Sequence, residues 1–123
     1  MVIMSIDAST KSTGVAIFED DKLVTYELFT ASYTDLIKRI KSIVKGIESM
    51  LNAHPEIEII ILEEVRPQGG TANVKTQRAL MFLQAAINFM LYDNQNKAEL
   101  IYMYPSEWRK YCKIKQGAGV KRE

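Results

Sequence analysis

Three acidic side chains stand where this chain could do chemistry. Asp7 closes the apolar run Val2-Ile3-Met4-Ser5-Ile6, and Glu63 and Glu64 close a second one, Ile57-Glu58-Ile59-Ile60-Ile61-Leu62. Cores rarely accept a charge without a partner, so a carboxylate ending a buried strand either caps the turn that follows or is held there to grip a cation. For Asp7 alone the turn is the simpler reading, because Asx turns at strand ends are common. Two acids at matching strand ends shift the balance. If the strands are parallel neighbours, Asp7 and Glu63 emerge together at the carboxyl edge, where α/β sheets place their sites. Pairing of Glu63 with Arg66 or Lys75 is the competing reading. Side chains alternate along a strand, so only one of Glu63 and Glu64 can share the face of Asp7, and spacing alone does not say which.

The segments that must position these acids follow from hydrophobic patterning. After Asp7 a small-polar turn, Ala8 to Thr13, leads through Gly14 into Val15-Ala16-Ile17-Phe18. The polar turn Glu19-Asp20-Asp21-Lys22 then precedes the β-forming run Leu23 to Thr30, which predicts a three-stranded antiparallel meander. Ser32 with Asp35 resembles a capping box, and Leu36, Ile40, Ile43, Ile47, Met50 and Leu51 recur at helical spacing. That amphipathic helix ends at Asn52-Ala53-His54-Pro55, since proline disfavours helix in the residue before it. His54, the single histidine, reads as a terminating residue.

The run from Ile57 to Leu62 is nearly all β-branched, as in a strand covered on both faces, and a helical crossover would set it parallel to the first strand. A polar loop, Val65 to Ala72, leads to an Ala-rich helix from about Asn73. Its Leu80, Leu83, Ile87, Met90 and Leu91 form the apolar face, and Met81-Phe82 are expected against the sheet, with a dimer contact as the alternative. A fifth strand, Glu99 to Tyr104, precedes Pro105 and a short helix from Ser106 to about Tyr111, where Trp108 is expected as an anchor to the core.

At 123 residues, with 47% hydrophobic and 25% charged content, the chain predicts one ordinary globular domain over residues 1–123. One cysteine, Cys112, cannot form an internal disulfide, and no run approaches the length of a membrane span, so a soluble cytoplasmic protein without membrane contact is expected. The net charge of +1 conceals an asymmetry. Residues 1–108 hold ten Lys/Arg against fourteen Asp/Glu, whereas residues 109–123 hold six basic residues against Glu123 alone. A basic end on an acidic domain points to a polyanion partner or to a solvated tail. Residues 112–123, with Gly117-Ala118-Gly119 and no apolar periodicity, are expected to form a mobile basic tail.

Taken in order, these features resemble the RuvC family of Holliday-junction resolvases within the ribonuclease H-like fold. MSIDASTKSTGVAIF is similar to the family's first hairpin, and IIILEEV to its fourth strand ending in Glu. NVKTQRALMFLQAAINFML resembles its Asn-initiated, Ala-rich helix, YMYPSEWRKY its aromatic-x-Pro segment, and GAGVKR the Gly-rich stretch beyond. The resemblance covers essentially the whole chain and implies an α/β fold with a five-stranded mixed sheet, a three-stranded antiparallel meander plus two parallel strands, flanked by helices. It implies a Mg²⁺-dependent, structure-selective DNA endonuclease of recombination and repair, hydrolysing phosphodiesters in four-way or other branched DNA as a homodimer.

Residue by residue, the resemblance makes Asp7 and Glu63 the first two metal-binding, catalytic carboxylates, with Glu64 in the neighbouring polar position. The complete site takes two Mg²⁺ ions, with Mn²⁺ as a substitute, roughly 3.5–4 Å apart so that an attacking water and a leaving oxygen are both served. Asp7 is expected to bridge and Glu63 to lie nearer the leaving group. Lys11, Arg66, Lys75, Arg78, Arg109, Lys110, Lys113, Lys115, Lys121 and Arg122 are the candidate DNA contacts, a phosphate grip that weakens with salt.

Two departures stand out. Arg66 occupies a position where the family usually has a stacking aromatic, although a guanidinium can also stack on a base. The family also completes its site with acids on a final helix, whereas after Trp108 the only acid here is Glu123. The site therefore reads as unfinished, and a C-terminally truncated fragment of a longer protein is expected. A domain that binds junctions without cutting is the second hypothesis. A sugar-kinase or actin-like ATPase half is a third, since IDASTKSTGVAIF also looks like that superfamily's first phosphate loop, but its second lobe does not fit in 123 residues. An α/β domain whose strand-end acids serve only turns is the plainest alternative.

Overall fold

A computed structural model describes residues 1–9, 11–32, 34–63, 74–94 and 97–103. Three strands come first, β1 (Val2–Asp7), β2 (Ser12–Glu19) and β3 (Lys22–Thr30), followed by the helix α1 (Leu36–Ala53). Then come β4 (Ile59–Glu63), α2 (Val74–Asp93) and β5 (Glu99–Met103). The five strands form one sheet in the order β3-β2-β1-β4-β5. β1–β2 and β2–β3 pair antiparallel, and β1–β4 and β4–β5 pair parallel. This is the mixed sheet that the resemblance implies, with the meander that the patterning predicts on one side and two crossovers on the other. The short helix expected after Pro105, the anchor role of Trp108 and the basic tail over residues 112–123 lie outside the described residues.

The meander depends on a two-residue turn between β2 and β3, where Asp20 and Asp21 adopt φ of 51° and 72°. Positive φ at both central residues matches the right-handed twist of the flanking strands, and Asp tolerates it better than most side chains. α1 starts later than the capping-box reading implies. Its N-cap is Asp35, whose Oδ1 accepts from the backbone N–H of Ile37 at 2.9 Å and of Lys38 at 3.3 Å. A carboxylate two and three residues ahead of these orphan donors satisfies them more directly than Ser32 could. The helix closes at His54, as its proline context predicts.

The strand alternation divides the core. Met4 and Ile6 of β1, Val15 and Ile17 of β2, and Ile60 and Leu62 of β4 face the two helices. There they meet Ile43, Ile47 and Leu51 of α1 and Leu83 and Ile87 of α2. On the opposite face Ile59 and Ile61 pack with Ile3, Ile101 and Met103. β4 is thus apolar on both sides, and each Ile or Leu fully buried there contributes about 1.5–3 kcal/mol. The expectation that Met81 and Phe82 pack on the sheet is not met. They are exposed, as are Phe89 and Tyr92, because Leu83, Ile87 and Met90 define the buried stripe of α2 and these four fall off it.

Candidate active site at the carboxyl edge

Asp7 is the last residue of β1 and Glu63 the last of β4. The parallel ladder between these strands runs from Ile3 opposite Ile59 to Ile6 opposite Leu62, so its next step sets Asp7 beside Glu63. Neighbouring strands lie about 4.8 Å apart, which brings both acids to one point on the edge. The phase that spacing left open follows from burial. Ile6 and Leu62 point into the helix-side core, whereas Ile59 and Ile61 belong to the other face. Asp7 and Glu63 are therefore in phase with each other and both project from the face opposite α1 and α2. Asp7 is exposed and Glu63 half-buried. Glu64 lies outside the described residues.

Two local devices hold this edge. After Asp7 the chain turns back into β2, and the turn is closed by the fully buried Thr13. Its Oγ1 donates to the Ser9 carbonyl at 2.7 Å and accepts from the Ser9 N–H at 3.2 Å, so one hydroxyl satisfies both backbone groups of the turn. At the end of β4, Gln84 of α2 donates from Nε2 to the Glu63 carbonyl at 2.7 Å. Sequence reading missed both residues; a lone Thr and a mid-helix Gln carry no motif, and only the packing of α2 against β4 gives Gln84 its partner.

That contact also shows how α2 lies on the sheet. Gln84 reaches Glu63, Asn88 bonds the Tyr102 hydroxyl, and Leu91 lies beside Ile60 and Leu100. The helix thus runs antiparallel to β4 and β5, and its turns before Gln84 extend past the end of β4. Val74 to Gln84 spans about 15 Å of helix. The exposed Lys75 and Arg78 sit on this overhang, and the exposed Lys11 sits in the turn after Asp7. Arg66, Arg109, Lys110, Lys113, Lys115, Lys121 and Arg122 lie outside the described residues. His54 is at the other end of the sheet, ahead of β4, where its Nδ1 meets Glu56 Oε2 at 3.2 Å.

Two ionised carboxylates offer hard oxygen donors, and Mg²⁺ is commonly held by one or two carboxylates with waters completing its shell. Asp7 and Glu63 fit that role. Among the described residues no group of three or more His, Cys, Asp or Glu side chains gathers where a metal could be held.

The Gln84 contact makes a testable expectation. Gln84→Leu keeps the bulk but strips the donor from a part-buried carbonyl, which costs about 1–3 kcal/mol in stability. If Asp7 and Glu63 hold a metal and this contact fixes the Glu63 backbone, Mn²⁺ affinity measured by calorimetry falls about tenfold or more. Unchanged affinity in a folded variant would reduce Gln84 to a packing residue.

No family model and no curated protein matches the sequence. Solved structures do. RuvC of Thermus thermophilus in complex with a Holliday junction substrate aligns over 89% of this chain and 68% of its own, at 15% identity and a TM-score of 0.73. A second Thermus thermophilus RuvC structure gives 14% identity and a TM-score of 0.68 over the same shares. The yeast mitochondrial Holliday junction resolvase Ydc2 aligns over 93% of this chain and 56% of its own, at 16% identity and a TM-score of 0.59. At such identities the likeness bears on the backbone arrangement. The chain has the ribonuclease H-like fold of RuvC, as its ordered motifs imply.

Proposed function

We propose that the chain is a Mg²⁺-dependent, structure-selective endonuclease acting on four-way or other branched DNA. The observation that carries this reading is the pairing of Asp7 with Glu63 at adjacent parallel strand ends, on one face of a RuvC-like sheet. Mg²⁺, or Mn²⁺ in its place, would supply an activated water and charge stabilisation at the leaving oxygen. The residues' own part is to hold that centre. Asp7, the more exposed, and Glu63, held through its backbone carbonyl by Gln84, would be the carboxylates that hold the metal. Both act as ionised acceptors. Lys11, Lys75 and Arg78 grip phosphates on either side of the edge, a sequence-independent attraction that counterions weaken.

Symmetric incision of a four-way junction needs two sites, so a homodimer belongs to this reading. The exposed Phe82, Ala85, Phe89 and Tyr92, spaced three and four apart along α2, support it. No helix among the described residues is long and apolar enough to cross a membrane. The cytoplasm is the proposed compartment, since the single cysteine fits a reducing environment.

A second reading, a domain that binds junctions without cutting them, is favoured by one observation: only two acids meet among the described residues. A labelled four-way junction distinguishes the two. Paired nicks that require Mg²⁺ and are absent on linear duplex are expected. Binding without nicks would favour the second reading, and neither binding nor nicks would overturn both.

A further inference from the structure

Opposite Asp7 in the β1–β2 pair stands Gly14, which presents no side chain on the face that Asp7 shares with Glu63. The space is taken by a residue from β3. A Cβ at Gly14 would lie 2.8 Å from the Tyr26 hydroxyl oxygen and 3.4 and 3.5 Å from its Cε1 and Cζ. Tyr26 itself pairs with Ala16, two residues along β2, so it projects on the same face as Gly14 and Asp7. Its ring therefore leans diagonally toward the carboxyl end of β1, carrying the hydroxyl over the backbone that faces Asp7.

A tyrosine that merely filled the hollow above a glycine would be expected to bury its ring. Tyr26 keeps 56% of its surface exposed, and what it brings closest to the strand end is the polar tip. An exposed phenol there offers an O–H donor on the β2 side of Asp7, while Glu63 flanks Asp7 on the β4 side. A carboxylate in that place would repel a phosphodiester. The hydroxyl can instead donate to a non-bridging phosphate oxygen, and charge-assisted bonds of that kind are about twice as strong as neutral ones.

We infer that Tyr26 is a substrate-contacting residue of this edge, its hydroxyl donating a hydrogen bond to a DNA phosphate that lies over the end of β1. The inference rests on the DNA-junction reading of the site but not on cleavage. It also explains why residue 14 is glycine: any side chain there would displace the phenol.

The test is a coupling measurement on the whole chain. Junction affinity is measured in EDTA for wild type and Tyr26→Phe, on natural DNA and on junctions carrying a single neutral methylphosphonate at each phosphate near the branch. Tyr26→Phe keeps the ring over Gly14 and removes only the hydroxyl. It should weaken binding of natural DNA about tenfold to a hundredfold, the worth of one hydrogen bond to a charged group. At one methylphosphonate position that loss should disappear, because the partner oxygen's charge is already gone. Equal binding by wild type and variant, or losses that add at every position, would overturn the contact while leaving the junction reading intact. Failure of the wild type to bind any junction would overturn both.

Discussion

Asp7→Asn is expected to lower Mg²⁺-dependent junction cleavage by about three orders of magnitude, the loss of roughly 4 kcal/mol of transition-state stabilisation, while junction binding persists. The substitution preserves shape and side-chain length and removes one negative charge from a hard oxygen ligand. Asp7 is exposed at the end of β1 and outside both apolar clusters, so the substitution leaves the apolar packing of the sheet in place. The choice of Asn also separates the two readings of this acid. If Asp7 served only to cap the turn into β2, Asn would cap it equally well and activity would stay near wild type. Glu63→Gln is expected to give a loss of similar size. The double variant should be little worse than either single one, because both side chains hold one centre and their effects do not add. Single-turnover rates on a labelled junction read all three. Calorimetric Mn²⁺ titration gives a check that needs no cleavage, since each single variant should bind the ion at least tenfold more weakly.

Gly46→Ala is expected to destabilise the fold by about 2 kcal/mol, and its sign is the informative part. In the interior of a helix, alanine in place of glycine ordinarily stabilises by about 1 kcal/mol. Here α1 crosses β3 so closely that a new Cβ would lie 2.4 Å from Cδ1, 2.7 Å from Cε1 and 3.0 Å from Cγ of Phe29. These are ring atoms of a side chain packed against the main core, so the ring cannot simply swing aside. Relief requires α1 to lift off the sheet or Phe29 to leave its place, and either loosens the edge strand β3. A thermal midpoint lower by on the order of 8 °C is the expected readout. Phe29→Leu in the Gly46→Ala background should recover part of the loss, because the smaller side chain vacates the space the methyl group needs. A rise in midpoint for Gly46→Ala alone would mean that helix propensity outweighs the contact. If Tyr26 is positioned for DNA, the same loosening of β3 should also weaken junction binding.

Much of the sheet was legible because its strands carry their own signals. The β-branched run into Glu63 reads as a two-sided buried strand, and the structure buries Ile59 and Ile61 on one face and Ile60 and Leu62 on the other. The helix stripe from Ile40 to Leu51 is equally direct, since its buried residues are those the periodicity selects. Starting points were less legible. Ser32 and Asp35 both suit an N-cap by type, and only backbone geometry selects Asp35. The outer face of α2 misled for another reason: Met81 and Phe82 are apolar and adjacent to the true stripe, and residue type does not tell a core contact from an exposed patch.

The candidate site divides in the same way. The sequence by itself placed two acids at the ends of two buried strands and a glycine after the first turn, because strand ends and turns are local events set by side-chain pattern. Which glutamate shares the face of Asp7 depends on the register between β1 and β4, a pairing of residues 56 positions apart that no local pattern encodes. Gln84 at the Glu63 carbonyl and Tyr26 over Gly14 are likewise products of packing. A single hydrogen bond or close approach leaves no periodic trace in the sequence, and it exists only once the helix and the edge strand have been set against the sheet.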